Sequence, residues 1–167
     1  MKRSRAAVGS AVFFVVAPGT VIGVVPWLMT GWQVRDPLPY WTPLRVVGAA
    51  LLVTGVAVAA QAFVRFVVEG LGTPVPVAAP ERLVVGGLYR YVRNPMYVAL
   101  LGAVVGEALL LGQVSLLAYA AVVGLITNLF VRFYEEPALR RRFGDRYEAY
   151  RRAVPGWWPR LRPRNSG

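Results

Sequence analysis

Four long apolar runs set what this chain can fold into: Ala6–Met29, Leu44–Val68, Met96–Leu111 and Val114–Tyr134. Each approaches or exceeds the roughly 17–25 residues that an α-helix needs to cross a hydrocarbon core. A helix satisfies its own backbone polar groups, which a bilayer demands, so each run is predicted as a helix. The expected fold is an all-α integral membrane protein with about four transmembrane helices. Composition agrees, since 16 % of residues are charged and 56 % hydrophobic, where a soluble domain carries about a quarter charged. A length of 167 residues allows one domain. Met96–Leu111 is the shortest run and is expected to cross thinly or with tilt. Gly112-Gln113 predicts a tight turn that makes the last two helices an antiparallel hairpin, and Pro18-Gly19 predicts a kink in the first. Lys2, Arg3 and Arg5 before an apolar stretch also suit a signal peptide. The run continues past Val25 without a well-formed small-x-small cleavage site, which favours a retained helix.

Basic residues orient the bundle. Nineteen Lys and Arg against eight Asp and Glu leave a net charge of +11. They cluster at the N-terminus, between the second and third runs (Arg82, Arg90, Arg93), and from Arg132 to Arg164. The positive-inside rule then predicts an inner (plasma) membrane protein with both termini and the Glu69–Pro95 loop cytoplasmic. Gly70–Pro80 is rich in Pro and Gly and reads as an extended linker. Beyond Pro137 an amphipathic helix is expected, with Leu139, Phe143, Tyr147, Tyr150 and Val154 along one side. Arg140, Arg141, Arg142, Arg146, Arg151 and Arg152 cover much of the rest. Such a helix suits the interface, lying on anionic lipid headgroups; a basic solvated face on a helix packed against the bundle fits the same pattern.

The chemistry available is narrow. The chain has no Cys and no His, which excludes thiolate nucleophiles, Ser-His-Asp catalysis and most transition-metal sites, so no metal is expected. Nucleic acid would suit the charge but not the apolar runs, and is not expected as a partner. Carboxylates, Arg, Tyr and backbone remain. Asn94-Pro95 is a good N-cap and first-turn pair for the third helix. The same helix start offers free N–H groups to an anion, with Arg93 as a charged donor beside it. Tyr89, Tyr91 and Tyr97 gather there as interfacial aromatics do. At the end of the fourth run, α-helical spacing puts Asn128, Arg132, Glu135 and Glu136 on one broad face. Arg132 can pair with either Glu, and the second carboxylate is then surplus and suits a cation. Gln61, Arg65 and Glu69 follow one face of the second run in the same way. Anion donors at one helix start and carboxylates at another helix end would together suit a zwitterion such as an amino-acid headgroup.

These residues carry a resemblance. The stretch from Leu83 and Val84 through Gly86-Gly87-Leu88-Tyr89 to Arg93-Asn94-Pro95-Met96-Tyr97 looks like the first signature of a membrane methyltransferase family. That family comprises the isoprenylcysteine carboxyl methyltransferases and the phospholipid N-methyltransferases. The second signature is Arg132-Phe133-Tyr134-Glu135-Glu136-Pro137, followed by Phe143-Gly144-Asp145-Arg146-Tyr147, Tyr150 and Val154-Pro155-Gly156-Trp157-Trp158-Pro159-Arg160. The likeness runs over 70–161, while residues 1–69 match only in being apolar, and the whole of 1–167 is expected to form a single domain.

The resemblance implies S-adenosyl-L-methionine bound at the cytoplasmic side and methyl transfer to a lipophilic acceptor arriving from the bilayer. Leu83, Val84, Gly87 and Tyr89 would then lie along the cofactor. Arg93, Asn94, Pro95 and Tyr97 would contact its amino-acid end. Glu135 and Glu136 would be the acidic pair of the cofactor site, and Arg132 would orient the acceptor. One position departs: the eukaryotic pattern has Arg-His-Pro where this chain has Arg93-Asn94-Pro95. Asn hydrogen-bonds but neither carries charge nor accepts a proton, so a pH-dependent role of that His is not expected here. Methyl transfer from a sulfonium is an in-line displacement that depends mainly on positioning. A carboxylate acceptor needs no base; an amine or phenol would need one, such as a Glu or Tyr. Isoprenylated protein, phospholipid amine, isoprenoid acid and quinone-like phenol all stay open as acceptors. Glu107, about 15 Å beyond Tyr97 along the helix and on another face, reads as structural. Two other readings compete. A sterol-reductase-like enzyme using NADPH would have Arg-His-Pro-Asn-Tyr followed by Gly-Glu, which this chain lacks, and a non-enzymatic membrane scaffold would use Arg132, Glu135 and Glu136 as internal ion pairs.

Overall fold

Small residues bring two apolar helices into backbone contact and so set the frame of the molecule. The computed structural model describes residues 16–70 and 82–162, with side chains throughout except those of 66–70. Helix α1 is Val16–Thr30, α2 is Thr42–Gly70 and α3 is Pro95–Leu111. Helix α4 is Ser115–Phe130; α5, Glu136–Phe143, and α6, Asp145–Ala153, follow it. Gly48 and Gly55 of α2 lie against Gly106, Ala99 and Ala103 of α3. A Cβ on Gly55 would come within 2.6 Å of the Ala99 carbonyl oxygen, and one on Gly106 within 2.6 Å of the Leu52 nitrogen. With lipid outside there is no hydrophobic drive between spanning helices, so close backbone approach through small residues is what packs them.

All described residues are helix, turn or loop, with no strand among them. Two stretches, Thr42–Arg65 and the continuous Ser115–Phe143, are long and apolar enough to cross a membrane, and Val16–Thr30 and Pro95–Leu111 are shorter apolar helices. The expected all-helical architecture is therefore seen. Lys2, Arg3, Arg5, Arg164, the Glu69 side chain and most of the Gly70–Pro80 linker lie outside the described residues. Pro18-Gly19 is answered by a π-helical turn at Thr20–Val24, the kind of wide turn that bends a helix.

The α3–α4 turn is where expected. Gly112 ends α3 with φ 66°, and its N–H donates to the Ala108 carbonyl. The last carbonyls of α3, which no helix can satisfy internally, receive the loop between α1 and α2. Trp41 Nε1 donates to Leu109 O at 2.8 Å, Arg45 Nε to Leu110 O at 3.2 Å, and the Arg35 N–H to Leu111 O at 2.8 Å. A Cβ on Gly112 would sit 1.9 Å from the Arg35 carbonyl oxygen, so glycine is required there by both space and φ. Buried Gln113 closes the turn by donating to Gln33 O at 2.7 Å.

The C-terminal helix departs from expectation. Gly144 takes φ 51° and splits it into α5 and α6. The side that carries Tyr147, Tyr150 and Val154 then packs on protein, forming a buried cluster with Ala62, Val84 and Tyr89. Tyr150 donates to the Tyr89 carbonyl at 2.7 Å. Of the two arrangements that fitted the pattern, the packed one holds for these residues, because the broken helix can fold its tyrosines under the first signature.

Candidate active site

The site forms where the start of α3 meets the end of α4 and the C-terminal strap. A 3₁₀ turn at Gly87–Arg90 leads into it. Gly87 opens this turn at φ 54°, under the Arg65 side chain, whose Nε would lie 3.0 Å from a Cβ. Val84 and Tyr89 are buried and Leu83 half-buried, all in the cluster beneath the turn. The chain then runs beside Val154–Arg160 and bonds to it through the backbone. The Arg93 N–H donates to Pro155 O at 2.9 Å, the Asn94 N–H to Gly156 O at 3.2 Å, and the Arg160 N–H to Tyr91 O at 3.0 Å. The two signatures are thus joined as one unit.

Arg93 is the hub. Its Nε donates to Val154 O at 3.0 Å, and its Nη1 to Glu136 Oε1 at 2.6 Å and to the Tyr147 hydroxyl at 3.0 Å. The Arg93 and Glu136 side chains are 13 % and 16 % exposed, so this pair is largely withdrawn from water. The other Glu136 oxygen lies 3.5 Å from Arg151 Nε. Beside it Tyr97 donates to Glu135 Oε2 at 3.2 Å, with the Trp157 ring 6.3 Å from the Tyr97 ring. Burial, with the Glu136 carboxylate next to it, pushes the Tyr147 phenol above its usual range, so it stays protonated at neutral pH.

Two sequence expectations need correction. Asn94 precedes α3 and Pro95 begins it, but the Asn94 side chain makes no capping bond. Its Nδ2 instead donates to Gly156 O at 3.0 Å, because the strap occupies the space over the helix start. Arg132 does not pair with either Glu. It is exposed and forms no ion pair among the described residues, while Glu136 takes Arg93 and Arg151. The reason is a π-helical turn, Val131–Glu135, between α4 and α5. Its i→i+5 bonding changes the rotation per residue, so the α-helical face that would align Arg132 with Glu135 and Glu136 is broken. Asn128 is exposed as well.

The structure therefore gathers Tyr89, Arg93, Asn94, Pro95, Tyr97, Glu135 and Glu136, with Leu83, Val84 and Gly87 beneath them, and leaves Arg132 apart on the outer face of the helix. It adds two elements that sequence reading placed in the site only by resemblance or as apolar packing. One is the Tyr147 hydroxyl; the other is the Val154–Gly156 backbone. The only signal for them in the sequence was their membership of the second signature. Glu107 stands well away from this cluster, buried in α3, and its Oε2 has no hydrogen-bond partner among the described residues.

Two comparisons bear on the family. The model of the phospholipid methyltransferase family matches residues 44–146, more than half of the chain. Protein-S-isoprenylcysteine O-methyltransferase of Schizosaccharomyces pombe is 40 % identical over 78 residues, a match covering 46 % of this chain and 33 % of that enzyme. The chain thus spans about a third of that relative's length in alignment. Both agree with the resemblance carried by the two signatures, and the family match includes Arg93 and the acidic pair that the fold brings together: the chain belongs to the phospholipid methyltransferase family.

Proposed function

We propose that this protein is an S-adenosylmethionine-dependent methyltransferase for a lipophilic or amphiphilic acceptor, working at the cytoplasmic face of the inner membrane. The observation that carries the reading is the coupling of Arg93 to Glu136 and of Tyr97 to Glu135, across 43 and 38 residues of sequence, in a chain of this family. Arg93, Arg151, Glu135 and Glu136 sum to zero charge, so a zwitterionic amino-acid end enters without leaving a net charge unpaired. Glu135, bonded to Tyr97 and to no cation among the described residues, suits the ammonium. When bound, the cofactor supplies an electrophilic methyl group on its sulfonium. The protein's part is to hold that end, to exclude water with the strap and Trp157, and to orient the acceptor.

Arg132 is proposed for the last task, since it is exposed in the π-helical turn after α4 and is not spent on the carboxylates. An apolar groove of about 430 Å³, lined by Val58, Leu88, Tyr91, Val92, Pro95 and Val98 among others, suits a hydrocarbon tail. A carboxylate, amine or hydroxyl acceptor is compatible with these features. Membership of the methyltransferase family favours this reading over an NADPH reductase or a scaffold.

The test is turnover. Reconstituted protein incubated with lipid extract and methyl-labelled S-adenosylmethionine should label a lipophilic product identified by mass. Arg132→Lys and Arg132→Ala should lower kcat/KM for that acceptor on the order of a hundredfold, since planar bidentate donation is lost in both. The dissociation constant of the cofactor should move less than a few-fold. Loss of cofactor binding in proportion to activity would put Arg132 in the cofactor site instead.

We also propose four spans, formed by α1 with the preceding apolar residues, α2, α3 and α4 with its continuation, and both termini cytoplasmic. Reporter fusions after Gly167 and near Pro37 should then report opposite sides. The same side from both would rule this topology out.

A further inference from the structure

Glu107 is the buried charge that the methyltransferase site does not use. It lies five residues before Gly112, about 7 Å along α3 from the end opposite Asn94. It is 8 % exposed, its Oε2 has no hydrogen-bond partner, and it forms no ion pair among the described residues. A carboxylate in a spanning helix pairs or lines a cavity, because leaving it alone in apolar surroundings is costly. The phenol beside it has no hydrogen to give. The α3–α4 hairpin brings Tyr119 level with Glu107, whose charge acts on that phenol. Tyr119 Oη donates instead to the Val21 carbonyl at 3.0 Å. That carbonyl needs an outside donor for a local reason. After the π-helical turn Thr20–Val24 the Val25 N–H goes to Thr20 O, and the next residue, Pro26, has no N–H. Helices α1, α3 and α4 thus meet where oxygen acceptors are left over and no described donor serves Glu107 Oε2.

We propose that Glu107 Oε2 and Tyr119 Oη form a binding site for a compact monovalent cation, in the half of the bundle away from the methyl donor. One positive charge neutralises the single carboxylate. A divalent ion would leave surplus charge in apolar surroundings, and no group of three metal-ligating side chains exists among the described residues. Tyr119 Oη keeps lone pairs after its hydrogen goes to Val21, so both oxygens accept. Two sources carry such a charge at this depth: an alkali ion, and the primary ammonium of a lipid headgroup in the adjoining leaflet. A quaternary ammonium is bulky and has no N–H, so it does not substitute. With the cation in place α3 is tied to α4 through the guest, and α4 to α1 through Tyr119 and Val21. The site does not depend on the methyltransferase reading.

Thermal unfolding of the reconstituted full chain in nanodiscs, with no methyl donor added, tests this. In phosphatidylcholine nanodiscs, sodium or potassium chloride replaces choline chloride at equal ionic strength. Separately, phosphatidylethanolamine replaces phosphatidylcholine of the same acyl chains in choline chloride. At least one exchange should raise the melting temperature of the wild type by about 3–8 °C, as a ligand well above its dissociation constant does. A rise with the alkali ion assigns the site to an inorganic ion, and a rise with the ethanolamine lipid alone assigns it to the headgroup ammonium. The rise should vanish in Glu107→Gln and fall by at least half in Tyr119→Phe. In choline chloride and phosphatidylcholine Glu107→Gln should melt no lower than wild type, since it has no charge to compensate. The same cation should slow labelling of Glu107 by dicyclohexylcarbodiimide about threefold or more in the wild type, a reading that needs no variant. No rise under either exchange, or a rise kept in full by Glu107→Gln, would overturn the proposal. Labelling that the cation does not slow would overturn it as well.

Discussion

Arg93→Ala is expected to weaken S-adenosylhomocysteine binding about a thousandfold, beyond ordinary detection for a micromolar ligand. Truncation removes the side chain that joins three elements: the start of α3, Glu136 at the start of α5 and the Val154 carbonyl of the strap. Glu136, 16 % exposed in the intact pair, keeps Arg151 at 3.5 Å as its cation among the described residues. Leaving a buried carboxylate without its partner costs about 3–5 kcal/mol; where α5 and the strap relieve that cost by local rearrangement of the site, it passes to ligand affinity at about tenfold per 1.4 kcal/mol. Arg93→Lys should recover little, since an ammonium cannot serve Val154, Glu136 and Tyr147 from one plane. The effect is local, so unfolding of the spanning helices should change far less than binding. Calorimetry on both variants, beside a melting curve, checks this. Affinity retained within threefold in Arg93→Ala would remove Arg93 from the site.

The second large effect is on the fold itself. Gly106→Leu should lower the melting temperature in detergent by on the order of 10 °C or prevent folding altogether. Its Cβ alone would meet the Leu52 nitrogen at 2.6 Å and the Gly48 carbonyl oxygen at 2.7 Å, and both are backbone atoms of α2 that cannot turn aside. Gly55→Leu should behave alike from the other side, where the Ala99 carbonyl oxygen lies 2.6 Å away. Gly102→Leu is the matched control. It lies on the same helix with nothing within 4 Å of a Cβ, so the loss of a glycine and the gain of apolar bulk are equal. Near-wild-type melting of Gly106→Leu would mean that α2 and α3 do not meet as described. Because α3 also carries Asn94, Pro95 and Tyr97 at its start, a shift of α3 against α2 should disturb ligand binding as well.

What the chain determines by itself is local. Hydrophobic runs make helices because a helix satisfies its own backbone, and that holds wherever the helix later packs. Pro95 begins α3 and Gly112 ends it for equally local reasons: a ring that presets φ and has no N–H to lose, and a residue free to take φ 66°. The two signatures marked Arg93, Tyr97, Glu135 and Glu136, and in the fold Arg93 donates to Glu136 and Tyr97 to Glu135.

Only the tertiary structure decided who pairs with whom. Arg132 stands three and four residues before the acidic pair and was the natural partner on an unbroken α-helix, yet Arg93, 43 residues away, takes Glu136. A single π turn breaks the face, and the α3–α4 hairpin, turned at Gly112, brings the start of α3 to the end of α4. The same holds for Tyr147, an apolar-face residue by periodicity and a hydrogen-bond acceptor by position, once Gly144 turns α6 under the first signature. Periodicity reports which side of a helix is buried. Against what it is buried depends on long-range packing, where backbone approach, a positive φ and one extra residue per turn each redirect side chains that the local pattern treats as equivalent.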